Sequence, residues 1–237
     1  MKGGTSAGGA QVINLPIGAP APPAMRPPRW DVDDWGRDSK LVGLTVRLGR
    51  LRWSLTLDGE RRLPARRGAL IVVNARRYAL TPVFTALALG ETTGRTVRFV
   101  GRPDVVPFGP VLRRLGGLLD RADEVRGALR AGELVVLGAR PVVHPRRVGR
   151  VDHEVIGAAV STRTPVFPTA TLTSPLTGHA RIRIGSAARP GRRRRGPLSE
   201  LELADVVERR IQRLLDELGG AQTGTLLDWV PLGVAGG

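Results

Sequence analysis

The sequence has no cysteine, which excludes disulfides and thiolate metal sites. Aromatic residues make up only 4% of it, and histidine occurs three times, at His144, His153 and His179. Lysine is confined to Lys2 and Lys40, so almost all positive charge is arginine. Arginine in place of lysine, with abundant Gly, Ala and Pro, is also the composition a GC-rich coding sequence produces. No apolar run approaches the ~20 residues that cross a bilayer. The opening segment, MKGGTSAGGAQVINLP, lacks the apolar core of a secretory signal. The expectation is a cytoplasmic protein, peripheral on the inner face of the cell membrane.

What remains is a globular composition, 41% hydrophobic over 237 residues, enough for one sizeable core. The formal net charge is +16, which favours anionic partners: a membrane surface, a phosphorylated ligand or nucleic acid.

Residues 1–29 are rich in Gly, Ala and Pro and read as a disordered tail. Residues 30–51 read as a basic amphipathic helix starting near Asp33 or Asp34. Leu41, Leu44, Leu48 and Leu51 share one face, with Arg37, Lys40, Arg47, Arg50 and Arg52 around it. That face suits core docking with a solvated rim, or an anionic membrane surface. Trp30, Trp35 and Trp53 flank the helix.

Residues 52–218 alternate strands and helices, predicting a single α/β domain with a mostly parallel mixed sheet flanked by helices. Strands are expected at 53–58, 69–73, 97–100, 134–137, 165–170 and 180–184. Helices are expected at 82–89, 107–115, 123–130 and 151–160. A last helix follows Ser199 and Glu202, which have capping-box spacing. Gly116 and Gly117 are expected to stop the third helix, and Leu118 to open an exposed segment. Arg192, Arg193, Arg194 and Arg195 form a run suited to an anionic membrane. Residues 219–237 read as a C-terminal tail.

The organising stretch is residues 68–89, GALIVVNARRYALTPVFTALAL. Residues 69–73 are a continuous apolar run, the pattern of a strand buried on both faces. Thr81 and Pro82 suit a helix start. The turn between them lies at the carboxyl end of a strand and points at a helix N-terminus, a natural anion site. It carries Arg76 and Arg77 as phosphate ligands, but no His, Asp, Glu, Ser or Cys. Tyr78 is its one other ionisable side chain.

Five blocks then carry a resemblance. They are DGERRLPARRGALIVVN, FVGRPDVVPFGPVLRRLGGLLDR, ELVVLGAR, TPVFPTA, and GHARIRIGSAARP followed by a helix. In this order the chain resembles the glycerolipid acyltransferases, the family containing 1-acylglycerol-3-phosphate acyltransferase. The resemblance implies that family's fold and O-acyl transfer from acyl-CoA or acyl-carrier protein, with no cofactor and no metal. It also implies a phosphate or substrate site at Asn74, Arg121, Gly138 and Arg140.

The departures fall on the chemistry. The family's first block pairs a His base with an Asp after four intervening residues; here those positions are Ala75 and Leu80. The Glu of the third block is Leu137. A positioned general base contributes ~10²–10⁴-fold. His144 and Tyr78 are the weak substitutes. The expectation is a degenerate family member of phospholipid metabolism, a pseudoenzyme that binds a phosphate-bearing lipid or acyl-thioester at the membrane, alongside an active paralogue. The alternatives are an active acyltransferase with altered chemistry and an Arg-rich nucleic-acid binder. Scarce aromatics and dispersed arginines argue against the last.

Overall fold

The computed structural model describes residues 32–75, 80–101, 108–142, 147–174, 178–189 and 196–219. The proposed tail at 1–29 and, beyond Gly219, the proposed tail at 219–237 therefore lie outside the described residues.

The centre of the sheet is the apolar run, which forms β2 (Ala69–Val73) with every residue at 0% exposure. Its side chains alternate between two cores. Leu70 and Val72 join one cluster; Ala69, Ile71 and Val73 join the other. A strand covered on both faces gains nothing from polar alternation, hence the unbroken run. Fully burying each such side chain contributes ~1.5–3 kcal/mol.

The other strands are β1 (Ser54–Asp58), β3 (Val97–Val100), β4 (Gly117–Leu118), β5 (Leu134–Gly138), β6 (Val166–Ser174) and β7 (His179–Ile184). They join in the order β1-β7-β6-β2-β5-β3-β4. The block from β6 to β4 is parallel; β7 runs antiparallel to β6, and β1 runs parallel to β7. Helices α1 (Ser39–Arg52) and α2 (Thr81–Thr93) bury residues on one face, and α4 (Ala122–Arg130), α5 (His153–Ser161) and α6 (Pro197–Leu218) on the other. The short α3 (Phe108–Arg114) precedes β4. This is the single α/β domain with a mostly parallel mixed sheet that the alternating pattern implies.

Three local expectations are corrected. The first helix starts later than Asp33, because Asp38 is its N-cap, accepting from the Lys40 and Leu41 amides at 3.0 and 3.1 Å. Asp33 instead turns the chain, accepting from the Trp35 and Arg37 amides, and sends its other oxygen to Arg98 at 2.8 Å. The leucine stripe of α1 does not dock on the core: Leu44, Leu48 and Leu51 are exposed, while Val42 is buried and Val46 packs against the same cluster. Val42, Val46, Gly49 and Trp53 form a second stripe at helical spacing. Phe84 and Leu87 of α2 lie opposite its last three members. Finally, Gly117 and Leu118 are a buried edge strand paired with β3 rather than an exposed segment.

Two smaller differences concern helix ends. α2 runs through Gly90 and stops at Gly94. Ser199 donates its hydroxyl to the Gly196 carbonyl at 2.7 Å, so no capping box forms at α6.

Candidate functional site

At the carboxyl end of β2 the chain leaves the sheet through Asn74 and Ala75. Asn74 is buried, and its amide grips the β6 main chain from both ends. Nδ2 donates to the Thr171 carbonyl at 2.9 Å, and the Thr171 amide donates to Oδ1 at 2.7 Å. Asn74 thus has a structural role: it fixes where β2 ends against β6.

Beside this point lies a cavity of about 470 Å³. Ala75, Leu80, Gly138 and Arg140 line it, together with Asp120 and Asp152. The β2–β5 register sets Val73 opposite Gly138, which carries Ala75 to the end of β5. Gly138 is required by a close approach: a Cβ there would sit 2.8 Å from Pro82 Cγ at the start of α2. Arg140 is held by its backbone, whose amide donates to the Arg150 carbonyl at 2.7 Å. Gly149 makes that approach possible, since a Cβ would fall 1.8 Å from the Arg140 carbonyl oxygen.

The N-terminus of α2 reaches the same cavity through Leu80, Pro82 and Val83, and among the described residues no side chain caps it. Its unpaired N–H groups and Arg140 together offer an anion a positive wall. The Arg140 guanidinium is 73% exposed and stands 4.0 Å from Asp152 Oδ2. Asp152 is already engaged as the N-cap of α5, accepting from the Glu154 and Val155 amides.

Asp120 is the ionisable lining residue that sequence reasoning passed over. It makes no hydrogen bond or ion pair among the described residues. The cavity wall withdraws water from its carboxyl and raises its pKa above the ordinary carboxylate value. Repulsion from Asp152 and Glu154 adds to this, while Arg140 opposes it. The signal was present, as Asp120 directly precedes Arg121 in the second block; only folding brings it beside Ala75.

Arg121, by contrast, is an exposed residue at the N-cap of α4 and does not line this cavity. Arg76, Arg77, Tyr78, His144 and the Arg192, Arg193, Arg194 and Arg195 run lie outside the described residues. His153 is exposed in the first turn of α5, and His179 pairs with Ser54 across the β1–β7 edge; neither lines the cavity. No group of three or more His, Cys, Asp or Glu among the described residues has the arrangement to hold a metal ion. Among the described residues, no helix is long and apolar enough to cross a membrane.

No protein-family model matches the chain, and no curated protein sequence matches it. A solved structure does: the 1-acyl-sn-glycerophosphate (LPA) acyltransferase PlsC from Thermotoga maritima. It superposes with a TM-score of 0.55 at 18% identity, covering 77% of this chain and 81% of that one. The chain has the fold of a glycerolipid acyltransferase. In this acyltransferase fold the cavity at the carboxyl end of β2 occupies the place where open α/β sheets bind their ligands.

Proposed function

We propose that this protein binds a phosphate-bearing lipid or acyl-thioester in the carboxyl-end cavity, at a membrane surface, with little or no acyl transfer by the route of the glycerolipid acyltransferases. The carrying observation is the cavity's composition. Arg140 and the uncapped start of α2 supply an anion site, whereas Ala75 and Leu80 present only apolar atoms. Neither side chain accepts a proton, so the ~10²–10⁴-fold of a general base is missing from those positions. Binding survives the loss of a base; turnover does not.

The exposed stripe of α1 supports the membrane half of the reading. Leu44, Leu48 and Leu51 remain exposed, with Leu55 on the following strand, and Lys40, Arg47 and Arg50 sit on the same helix. Apolar side chains among cations suit an interfacial helix on anionic lipid. Each basic residue near such a surface contributes ~1 kcal/mol.

The test offers labelled acyl-CoA and acyl-carrier protein with glycerol-3-phosphate and lysophosphatidate, beside the double substitution Ala75→His with Leu80→Asp. A silent native protein that nevertheless binds lysophosphatidate in anionic vesicles is the expected result, with turnover appearing in the double variant. Brisk turnover by the native chain overturns the reading. It would favour a second one, in which Asp120 serves as base. A carboxyl of raised pKa in the same cavity as Ala75 is the observation behind it. Asp120→Asn would then abolish turnover.

A further inference from the structure

The amino end of the parallel strands holds a second and larger cavity, of about 990 Å³. Its rim carries Arg66, Arg67, Arg130, Arg163 and Arg189, and none of the described residues that line it is Asp or Glu. Among the described residues, none of these five guanidiniums makes an ion pair or a side-chain hydrogen bond. Elsewhere on this surface arginines do find carboxylates: Arg126 pairs with Asp123, and Arg183 with Asp58 and Glu217. Five like charges gathered around one concavity without a counter-charge favour a bound anion.

The rim is held rather than loose. Arg95 donates to the carbonyls of Pro64, Arg67 and Gly132, the last two at 3.0 and 2.7 Å. That clip ties the segment before β2 to the turn before β5, and Pro64, Arg67 and Gly132 all line the cavity. The floor is apolar, with Leu129 and Leu203 buried and Val160 beside them.

Part of this charge has a structural account. α4 and α5 both end here, and cations suit helix C-termini, which explains Arg130. Arg66, Arg67 and Arg189 lie on no helix. Arg163 is the most telling. It follows the end of α5 in a left-handed conformation, φ +55°, the one non-glycine residue so placed among the described residues. Its amide bonds to the Val160 carbonyl and the Thr164 amide to the Ala159 carbonyl, the two bonds of a motif that glycine favours at this position. An arginine there strains the backbone, and it sets a cation on the rim.

We propose that this cavity binds a polyphosphate group, with guanidiniums on two or more phosphates and the apolar floor under the remainder of the ligand. The chemistry is shared by a nucleoside triphosphate and by inorganic triphosphate. The volume falls in the range of small-ligand sites, ~300–1,000 Å³. Among the described residues no aromatic side chain lines it, so single-stranded nucleic acid would lack its stacking platform. The site lies at the opposite end of the sheet from the lipid-binding cavity and stands independently of that reading.

The experiment is titration calorimetry of the full chain with ATP, inorganic triphosphate and AMP at ~0.15 M salt. One-to-one binding of both triphosphates, at least tenfold tighter than AMP, is expected. Equal affinities identify the phosphate chain as the whole ligand; tighter ATP identifies a nucleotide. The Arg67→Ala, Arg189→Ala double variant should weaken binding at least tenfold. Arg163→Gly is the discriminating change: it should raise the melting temperature while weakening triphosphate several-fold. Absence of saturable binding overturns the proposal, as does affinity lost on Arg140→Ala but kept in the rim variants. So does a single-stranded oligonucleotide that binds through the rim when triphosphate does not.

Discussion

The two ends of the parallel sheet are built from the same strands and treat charge in opposite ways. At the carboxyl end, the described charges that line the cavity are of mixed sign: Arg140 stands near Asp152, Asp152 caps α5, and Asp120 faces both. At the amino end, charge falls into two classes. Arg98 is 1% exposed and fully matched, with Glu133 bonded through both its Nε and Nη2, Asp33 on Nη2 and the Trp35 ring 5.3 Å away. A few residues away, the side chains of the rim arginines have no partner among the described residues. A buried cation must be paired or the fold is lost, whereas an exposed one tolerates isolation and remains available to a ligand.

Four changes would break or sharpen this comparison. The largest effect belongs to Glu133→Ala, which leaves the buried Arg98 with Asp33 alone and its Nε unpaired, and should cost ~3–5 kcal/mol. At ~2–4 °C per kcal/mol for a chain of this size, thermal melting would register a fall of roughly 6 °C or more. A drop no larger than that of a rim substitution such as Arg66→Ala would erase the distinction between the two classes of arginine.

Next comes Asn74→Ala. It removes both bonds to Thr171 and leaves a buried amide and carbonyl unpaired, at ~1–3 kcal/mol for each group. Denaturant titration would show a lower midpoint with unchanged slope.

A smaller effect is expected at Asp120. Its folded pKa is raised, so the fold favours the neutral form. The associated stability is present below the ordinary carboxyl value of 3.8 and is lost as pH rises through the folded pKa. Asp120→Asn should therefore be more stable than the native protein at pH 7, and the gain should vanish toward pH 3–4. Melting curves across that range check the sign, and a gain that grows on acidification would refute it.

The smallest effect on the fold is expected on the leucine stripe. Leu44→Ala, Leu48→Ala and Leu51→Ala should each shift stability by no more than ~0.5 kcal/mol, as surface changes do. Together they should abolish sedimentation with anionic vesicles. A core-sized penalty of ~2–5 kcal/mol for any one of them would contradict their exposure.

Much of the fold was legible in the residues. The ALIVV run announced a doubly covered strand. Of the apolar positions spaced along α6, Ala204, Val207, Ile211 and Leu218 are buried, while Leu214 is half-buried and Leu215 takes its place in the core. The candidate site was legible in part. Ala75, Leu80, Gly138 and Arg140 do meet in one cavity, but Asp120 enters it only through the packing of β4 and α4 beside β3 and β5. The basic cavity was not legible at all. Its five arginines come from four separate segments, and their convergence depends on which ends of the strands adjoin.

The sequence by itself determined the class of the fold, the absence of thiol chemistry, the excess of arginine and the apolar character of the two motif positions, because each follows from residue identity and local spacing. Tertiary structure decided which stripe of α1 faces α2, because Val42, Val46 and Trp53 offer an apolar stripe beside the leucines and it is this one that packs inward. It also decided which arginines are paired. Pairing depends on distance in three dimensions, and Arg98 finds Asp33 and Glu133 only after the sheet has brought three distant segments together.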